Sequence, residues 1–364
     1  MTSVAKRLLR ISILVTAFGL LCYSSTMAFH EKGVANCSGC HVMHNSEDGT
    51  PIDPDAVSGN LALLNDGTPS DVCLSCHATR YGSVFGSDPL IPPDEKGGGN
   101  FVFLLEDNLN DAANGQTNPI SGDAAGHNID APSYGVSPDG TILAAPGGTF
   151  PSDKLGCTSC HDPHGNRNFR MLYGVGPVQG GLATFSHPAP QAKGLSLGHG
   201  SGAETNSNHT AYQSGVSEWC ANCHGENYHE SGDSATFAHP SGVNLEPDII
   251  TRYNVYNGTN DIAGGNAATA YLAAVPFEDA SATTSSTAGP TSASKVMCLS
   301  CHRAHASSAP YAGRWDFMVD LLANDGAISG SYPIPSPYPT PVQNSLCNKC
   351  HDFGSGSSAA PVQR

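Results

Sequence analysis

The chain has 364 residues, with 32 acidic against 16 basic and a formal charge of −16. Such a surface repels nucleic acid and anionic lipid, which excludes partners held through phosphate groups. There are 41 glycines and 26 prolines but only 13% charged residues, and outside the N-terminal run no stretch beyond about twelve residues keeps a helical or strand period. An ordinary apolar core is not written in this pattern.

Residues 1–28 read as a cleaved export signal. Lys6, Arg7 and Arg10 precede an apolar run from Ile11 to Tyr23, and Thr26-Met27-Ala28 gives the small-x-small pattern of a signal-peptidase site. The run is too short for a membrane anchor, so the mature chain is expected to carry no membrane span. A lipid-modified Cys22 would want a small residue before it, and Leu21 is not small. Cleavage after Ala28 removes three basic residues, leaving 13 against 32 acidic, a charge of −19, and twelve cysteines.

Those twelve cysteines follow one pattern. In chain order they are Cys37-Ser-Gly-Cys40-His41, Cys73-Leu-Ser-Cys76-His77, Cys157-Thr-Ser-Cys160-His161, Cys220-Ala-Asn-Cys223-His224, Cys298-Leu-Ser-Cys301-His302 and Cys347-Asn-Lys-Cys350-His351. On a helical turn, positions i and i+3 share a face. Two thiols can therefore reach the two vinyl groups of one porphyrin, and the histidine at i+4 can put a ring nitrogen on its iron. This is the attachment signature of c-type haem.

Competing uses of cysteine do not need that histidine. Zinc sites use paired C-x-x-C without it, a secreted disulfide framework ignores it, and thioredoxin-like redox pairs need a βαβ setting absent here. With histidine at about 4% of the chain, six matches in six arise by chance roughly once in a hundred million. Six covalent haems c per chain are expected, with His41, His77, His161, His224, His302 and His351 as proximal ligands.

The distal ligands come from ten further histidines: His30, His44, His127, His164, His187, His199, His209, His229, His239 and His305. Methionine is the alternative, but only Met43, Met171, Met297 and Met318 survive cleavage, and histidine is preferred. His41-Val-Met-His44, His161-Asp-Pro-His164 and His302-Arg-Ala-His305 each place a second histidine three residues after the proximal one. That second ring cannot reach the same iron, because the porphyrin plane lies between the two axial faces. It suits the iron of a neighbouring haem. His187, His199 and His209 lie in a Gly/Ser/Asn-rich run and read as solvated loop histidines.

The motifs start 36, 84, 63, 78 and 49 residues apart, so haem is spread over the whole of 29–364, which reads as a single hexahaem domain. The fold class is a multihaem cytochrome c, mostly coil with short helices at the motifs and few strands, around a haem-filled core. Residues 279–294 read as an exposed low-complexity loop. Pro333, Pro335, Pro337, Pro339 and Pro341 favour a polyproline II segment, and 354–364 a loose tail. Asn208-His-Thr210 and Asn257-Gly-Thr259 are weak glycosylation matches.

The flanks of the motifs carry a resemblance. AFHEKGVANCSGCHVMHNS (28–46), GHNI (126–129), APGGTFP (145–151), CTSCHDPHG (157–165), SEWCANCH (217–224), AYLAAVPFED (270–279), CLSCHRAHAS (298–307) and LCNKCH (346–351) resemble the OmcS-like outer-surface hexahaem cytochromes of metal-reducing bacteria. The second motif's flanks, and most of 166–215 and 241–296, match poorly. The resemblance implies a single haem-filled domain, histidine at every axial position, and polymerisation outside the cell into a conducting filament. It also implies distal ligands drawn from His30, His44, His127, His164, His229, His239 and His305. These are seven candidates for six positions, with His30 and His229 ranked lowest. In that reading His44 crosses the subunit boundary to cap the haem of His302 in the neighbour.

Electron transfer rather than catalysis is the expected function, with other cytochromes or extracellular electron acceptors as partners at the outer cell surface. The alternatives are a monomeric periplasmic shuttle and a multihaem reductase with one open iron. The reductase would show a replaced proximal histidine or too few histidines to cap six irons, and neither occurs.

Overall fold

The structure is a computed structural model that describes residues 37–44, 46, 50–51, 63–78, 84–87, 97–105, 109–110, 119–120, 125–194, 204–225, 240–257, 264–315, 317 and 346–351. The expectations for the export signal, His30, His199, His229, His239, the alternating prolines and the tail lie outside these residues.

All six motifs sit on single short helical segments, as the i, i+3 spacing of the cysteines requires. Helix α1 (Pro69–His77), α2 (Cys157–Cys160) and α3 (Val216–His224) carry the second, third and fourth motifs. The 3-10 turns Cys37–Gly39, Cys298–Ser300 and Leu346–Lys349 carry the first, fifth and sixth. A fourth helix, α4 (Pro247–Val255), has proline at its first turn, where the missing N–H costs nothing. Helix α1 starts at a capping box: Asp71 N–H donates to Thr68 Oγ1 (3.1 Å), and Thr68 N–H donates back to the Asp71 carboxylate (3.1 Å).

Strands are minimal. Among the described residues three antiparallel pairs occur: β1 (Leu109–Asn110) with β2 (Pro119–Ile120), β3 (Gly176–Pro177) with β4 (Thr184–Phe185), and β5 (Gln191–Lys193) with β6 (Ala211–Ser214). The mostly-coil, few-strand expectation is met.

Among the described residues the apolar core is divided into four clusters, and each closes against motif cysteines. The first, around Leu74, Phe85, Val102, Phe103 and Ile129, is edged by Cys157. The second, around Tyr253, Tyr271, Leu272, Phe277 and Trp315, is edged by Cys301, Cys347 and Cys350. Two smaller ones end on Cys223 and on Cys220. Burying a side chain such as Phe103 contributes about 1.5–3 kcal/mol, but the clusters are separate. Their common border is the set of motifs.

Two loop expectations are corrected. Residues 279–294 are not a plain exposed loop. Asp279 accepts hydrogen bonds from Ser281 N–H (2.9 Å), Ser281 Oγ (2.6 Å) and Ser294 Oγ (2.6 Å), and Ser294 is fully buried. Serine and threonine hydroxyls replace the missing regular backbone pairing here. His209 is not solvated either. It is 1% exposed, its ring stacks on Tyr271 at 3.8 Å, and its two ring nitrogens meet the Thr210 (3.0 Å) and Ser286 (2.9 Å) carbonyls. It ties the 283–287 segment to the core. His187 is half-buried, and its segment is held by Asn222 of the fourth motif, whose Oδ1 accepts from Ser186 and His187 N–H at 2.8 and 2.9 Å.

Candidate haem-binding sites

Motifs one, three and five share one hairpin. In the third, Asp162 N–H donates to the Met171 carbonyl (2.9 Å) and Tyr173 N–H to that of Cys160 (3.0 Å). The fifth repeats this with Arg303 to Ala312 (2.6 Å) and Arg314 to Cys301 (2.7 Å). The first repeats it with Val42 to Leu63 (2.6 Å) and Asn65 to Cys40 (3.0 Å), across a longer loop. The returning strands put non-glycine residues in the left-handed region: Leu63 (φ 50°), Arg170 and Met171 (52° and 55°), Tyr311 and Ala312 (60° and 55°). Such conformations are uncommon and cost free energy, and they gather at functional sites. Here they turn the Arg170 and Tyr311 carbonyls onto the proximal rings: His161 Nδ1 lies 2.8 Å from the Arg170 oxygen and His302 Nδ1 2.9 Å from that of Tyr311.

The same device recurs elsewhere. His224 Nδ1 lies 3.0 Å from the Pro146 carbonyl, and His127 Nδ1 lies 2.7 Å from that of Ala304. A carbonyl at Nδ1 selects the tautomer that keeps its proton there and leaves the Nε2 lone pair available to a metal. Close backbone approach makes this possible. A Cβ on Gly148 would overlap the Cys223 carbonyl, and one on Gly126 would overlap that of His305, so both positions need glycine.

Motifs two and four are longer helices that clamp onto the next hairpin type. Cys157 N–H donates to Ser70 Oγ and Cys298 N–H to Ser217 Oγ, both at 3.2 Å. Each serine sits three residues before its own motif's first cysteine and is buried. Sequence reading missed this pair, though the signal was present as Ser-Asp-Val-Cys73 and Ser-Glu-Trp-Cys220. Motif six is fixed by Lys349, whose buried ammonium donates to the Tyr253 and Tyr256 carbonyls (both 2.8 Å) over the Tyr253 ring.

The histidines meet in pairs. The rings of His41 and His164 lie 6.3 Å apart and within 9° of parallel, and those of His127 and His224 lie 5.9 Å apart. Among titratable neighbours His305 feels His161 most strongly; burial first, then His161, pushes it down to about 3. Burial and then His127 push His224 down to about 4. Neutral imidazole is the form that binds a metal. His44 is exposed beside Met43, which is 85% exposed, and Met297 is core.

These residues fit a covalently bound haem. The 6.3 Å gap between His41 and His164 exceeds ring contact, while two metal–nitrogen bonds of about 2 Å each plus the half-widths of two imidazoles span it. The twelve motif cysteines form no disulfide. Burial pushes Cys160 and Cys350 up to about 12 and Cys223 to about 11, while hydrogen bonding with Cys73 pulls Cys157 down and hydrogen bonding with Cys220 pulls Cys298 down to about 5. A haem thioether sulfur is neutral and tolerates burial at the three raised positions. Among the described residues no helix is long and apolar enough to cross a membrane.

Short C-x-x-C-H helices, histidines paired from separate segments and a mostly coil chain define a multihaem c-type cytochrome. No family model matches the sequence. The chain is 30% identical to the C-type cytochrome OmcS of Geobacter sulfurreducens, aligned over 433 positions covering 95% of this chain and 99% of OmcS. It is also similar to the cryo-EM structure of the OmcS nanowires (TM-score 0.73) and to the outer membrane cytochrome S filament (TM-score 0.71). Both structures come from that organism, each at 28% identity with 89% of this chain and 99% of the other covered. The chain belongs to the OmcS family of c-type cytochromes.

Proposed function

We propose that this protein is the subunit of an extracellular filament that conducts electrons through six haems c, each held between two histidines. The near-parallel His41–His164 pair, from separate motifs and separated by one metal's width, carries this reading. Each haem, once bound, supplies an Fe(III)/Fe(II) couple that takes and passes on one electron, and histidine pairs favour a low, negative potential.

The hairpin repeat orders the ligands. His164 of hairpin three faces His41 of hairpin one, and His305 of hairpin five neighbours His161 of hairpin three. The second histidine of each hairpin thus serves the proximal histidine of the hairpin before it. Continuing the series, His302 of hairpin five takes the second histidine of another first hairpin, the exposed His44 of the next subunit. Such a contact is head-to-tail, and where the rotation does not close it generates an open filament. His127 serves His224, and His30, His229 and His239 are the candidates for His77 and His351, with one surplus. Filaments of the relatives support polymerisation, and an export signal over 1–28 supports an outer-surface location, with other cytochromes or external acceptors as exchange partners.

His44→Ala tests the joint. It should shorten or abolish filaments while six haems remain attached and one turns high-spin. Filaments of normal length with every haem low-spin would overturn the assignment.

A further inference from the structure

Hairpins three and five have the same backbone but differ in charge at two matching positions. Where the fifth carries Arg303 and Arg314, the third carries Asp162 and Tyr173, each pair making the same main-chain bonds. Both arginines are buried, at 5% and 7% exposure. They converge on one acceptor, the Gly97 carbonyl, with Arg303 Nη1 at 3.2 Å and Arg314 Nη2 at 3.5 Å. Arg314 also donates to the carbonyls of Leu299 (2.6 Å, inside motif five) and Ala273 (3.1 Å). These acceptors are neutral. Among the described residues no carboxylate forms an ion pair with Arg314, and the nearby Glu204 carboxylate is turned to Thr210, accepting its N–H and hydroxyl at 2.7 and 2.6 Å. The positive charge of Arg314 is felt at Cys301, a cysteine of motif five.

A guanidinium keeps its charge at any pH a protein survives. In a buried setting that charge is poorly screened. We propose that Arg314 is a potential-setting residue, which makes the haem of motif five easier to reduce than the haem of motif three. The charge acts by stabilising Fe(II), the form with one positive charge fewer. The exposed Arg170 also lies near His161, but solvent screens it. The chain therefore holds a downhill step for electrons between two otherwise equivalent sites. This inference rests on the reading that both motifs bind haem.

A unit charge about 10 Å from a redox centre, at an effective dielectric constant of about 20, changes the reduction equilibrium by roughly tenfold. The test is a spectroelectrochemical titration of fully loaded protein carrying Arg314→Met or Arg314→Lys, with haem counted per chain. Arg314→Met should keep six haems and move one haem's share of the optical change to lower potential. The shift should be roughly tenfold in Fe(II)/Fe(III) ratio, about 59 mV for one electron. Arg314→Lys, titrated on the acid side of the lysine's pKa, keeps the charge while losing the fork of hydrogen bonds, so it should lower thermal stability yet leave the titration near wild type. If Arg314→Met does not accumulate, Arg314→Gln carries the same expectation. An unchanged titration in the methionine variant, or an equal shift in the lysine variant, overturns the inference. Fewer than six haems in the wild-type chain would instead overturn the haem assignment beneath it.

Discussion

Ser217→Ala isolates the clamp between motifs four and five. The hydroxyl is fully buried and accepts the Cys298 N–H at 3.2 Å. Alanine keeps the helix and removes only that acceptor. A buried amide left without a partner costs about 1–3 kcal/mol. A loss of 1–2 kcal/mol corresponds to about a 5–30-fold rise in the population of the opened state. Native-state hydrogen exchange reads that opening locally, with no need for reversible global unfolding. Peptides containing Cys298 should therefore exchange about 5–30-fold faster, while those containing Cys157 stay at the wild-type rate. Ser70→Ala should do the reverse, since Ser70 accepts from Cys157, so each variant is the other's control. Unchanged exchange at the clamped cysteine would refute the reasoning, as would equal acceleration of both segments in either variant.

His164→Ala should leave six haems attached and convert one, the haem of His41, to high-spin; an unchanged oxidised spectrum would remove His164 from the ligand set. His209→Phe keeps a ring on Tyr271 but strips the Thr210 and Ser286 carbonyls of their partner, so stability to urea should fall by about 1–3 kcal/mol. Its spin state should not change, and a new high-spin haem would make His209 a ligand after all.

The motif helices were legible because covalent chemistry dictates the cysteine spacing, and spacing survives in any sequence without periodicity. The repeated His-x-x-His was legible for the same reason, and it marks the three hairpins that share one backbone. Their returning strands were not legible. Nothing local in Arg170-Met171 or Tyr311-Ala312 favours a left-handed backbone, and the requirement comes from the imidazole each carbonyl must meet. His127 has no local pattern, because its place is set by bonds to a segment far along the chain, the His305 carbonyl among them. His209 and 279–294 were misread because serine, threonine and glycine look solvated in a composition count. Side chain–backbone bonds can bury such residues as effectively as a ladder does.

The proposed function requires that one chain hold six haems through thioether bonds. The mass of the purified polypeptide under denaturing conditions tests it most directly, since only covalent groups survive. The account predicts the mass of residues 29–364 plus six haems, with no unmodified motif cysteine left to alkylate. A mass corresponding to five haems or fewer, with free thiols at one of the six motifs, would contradict it.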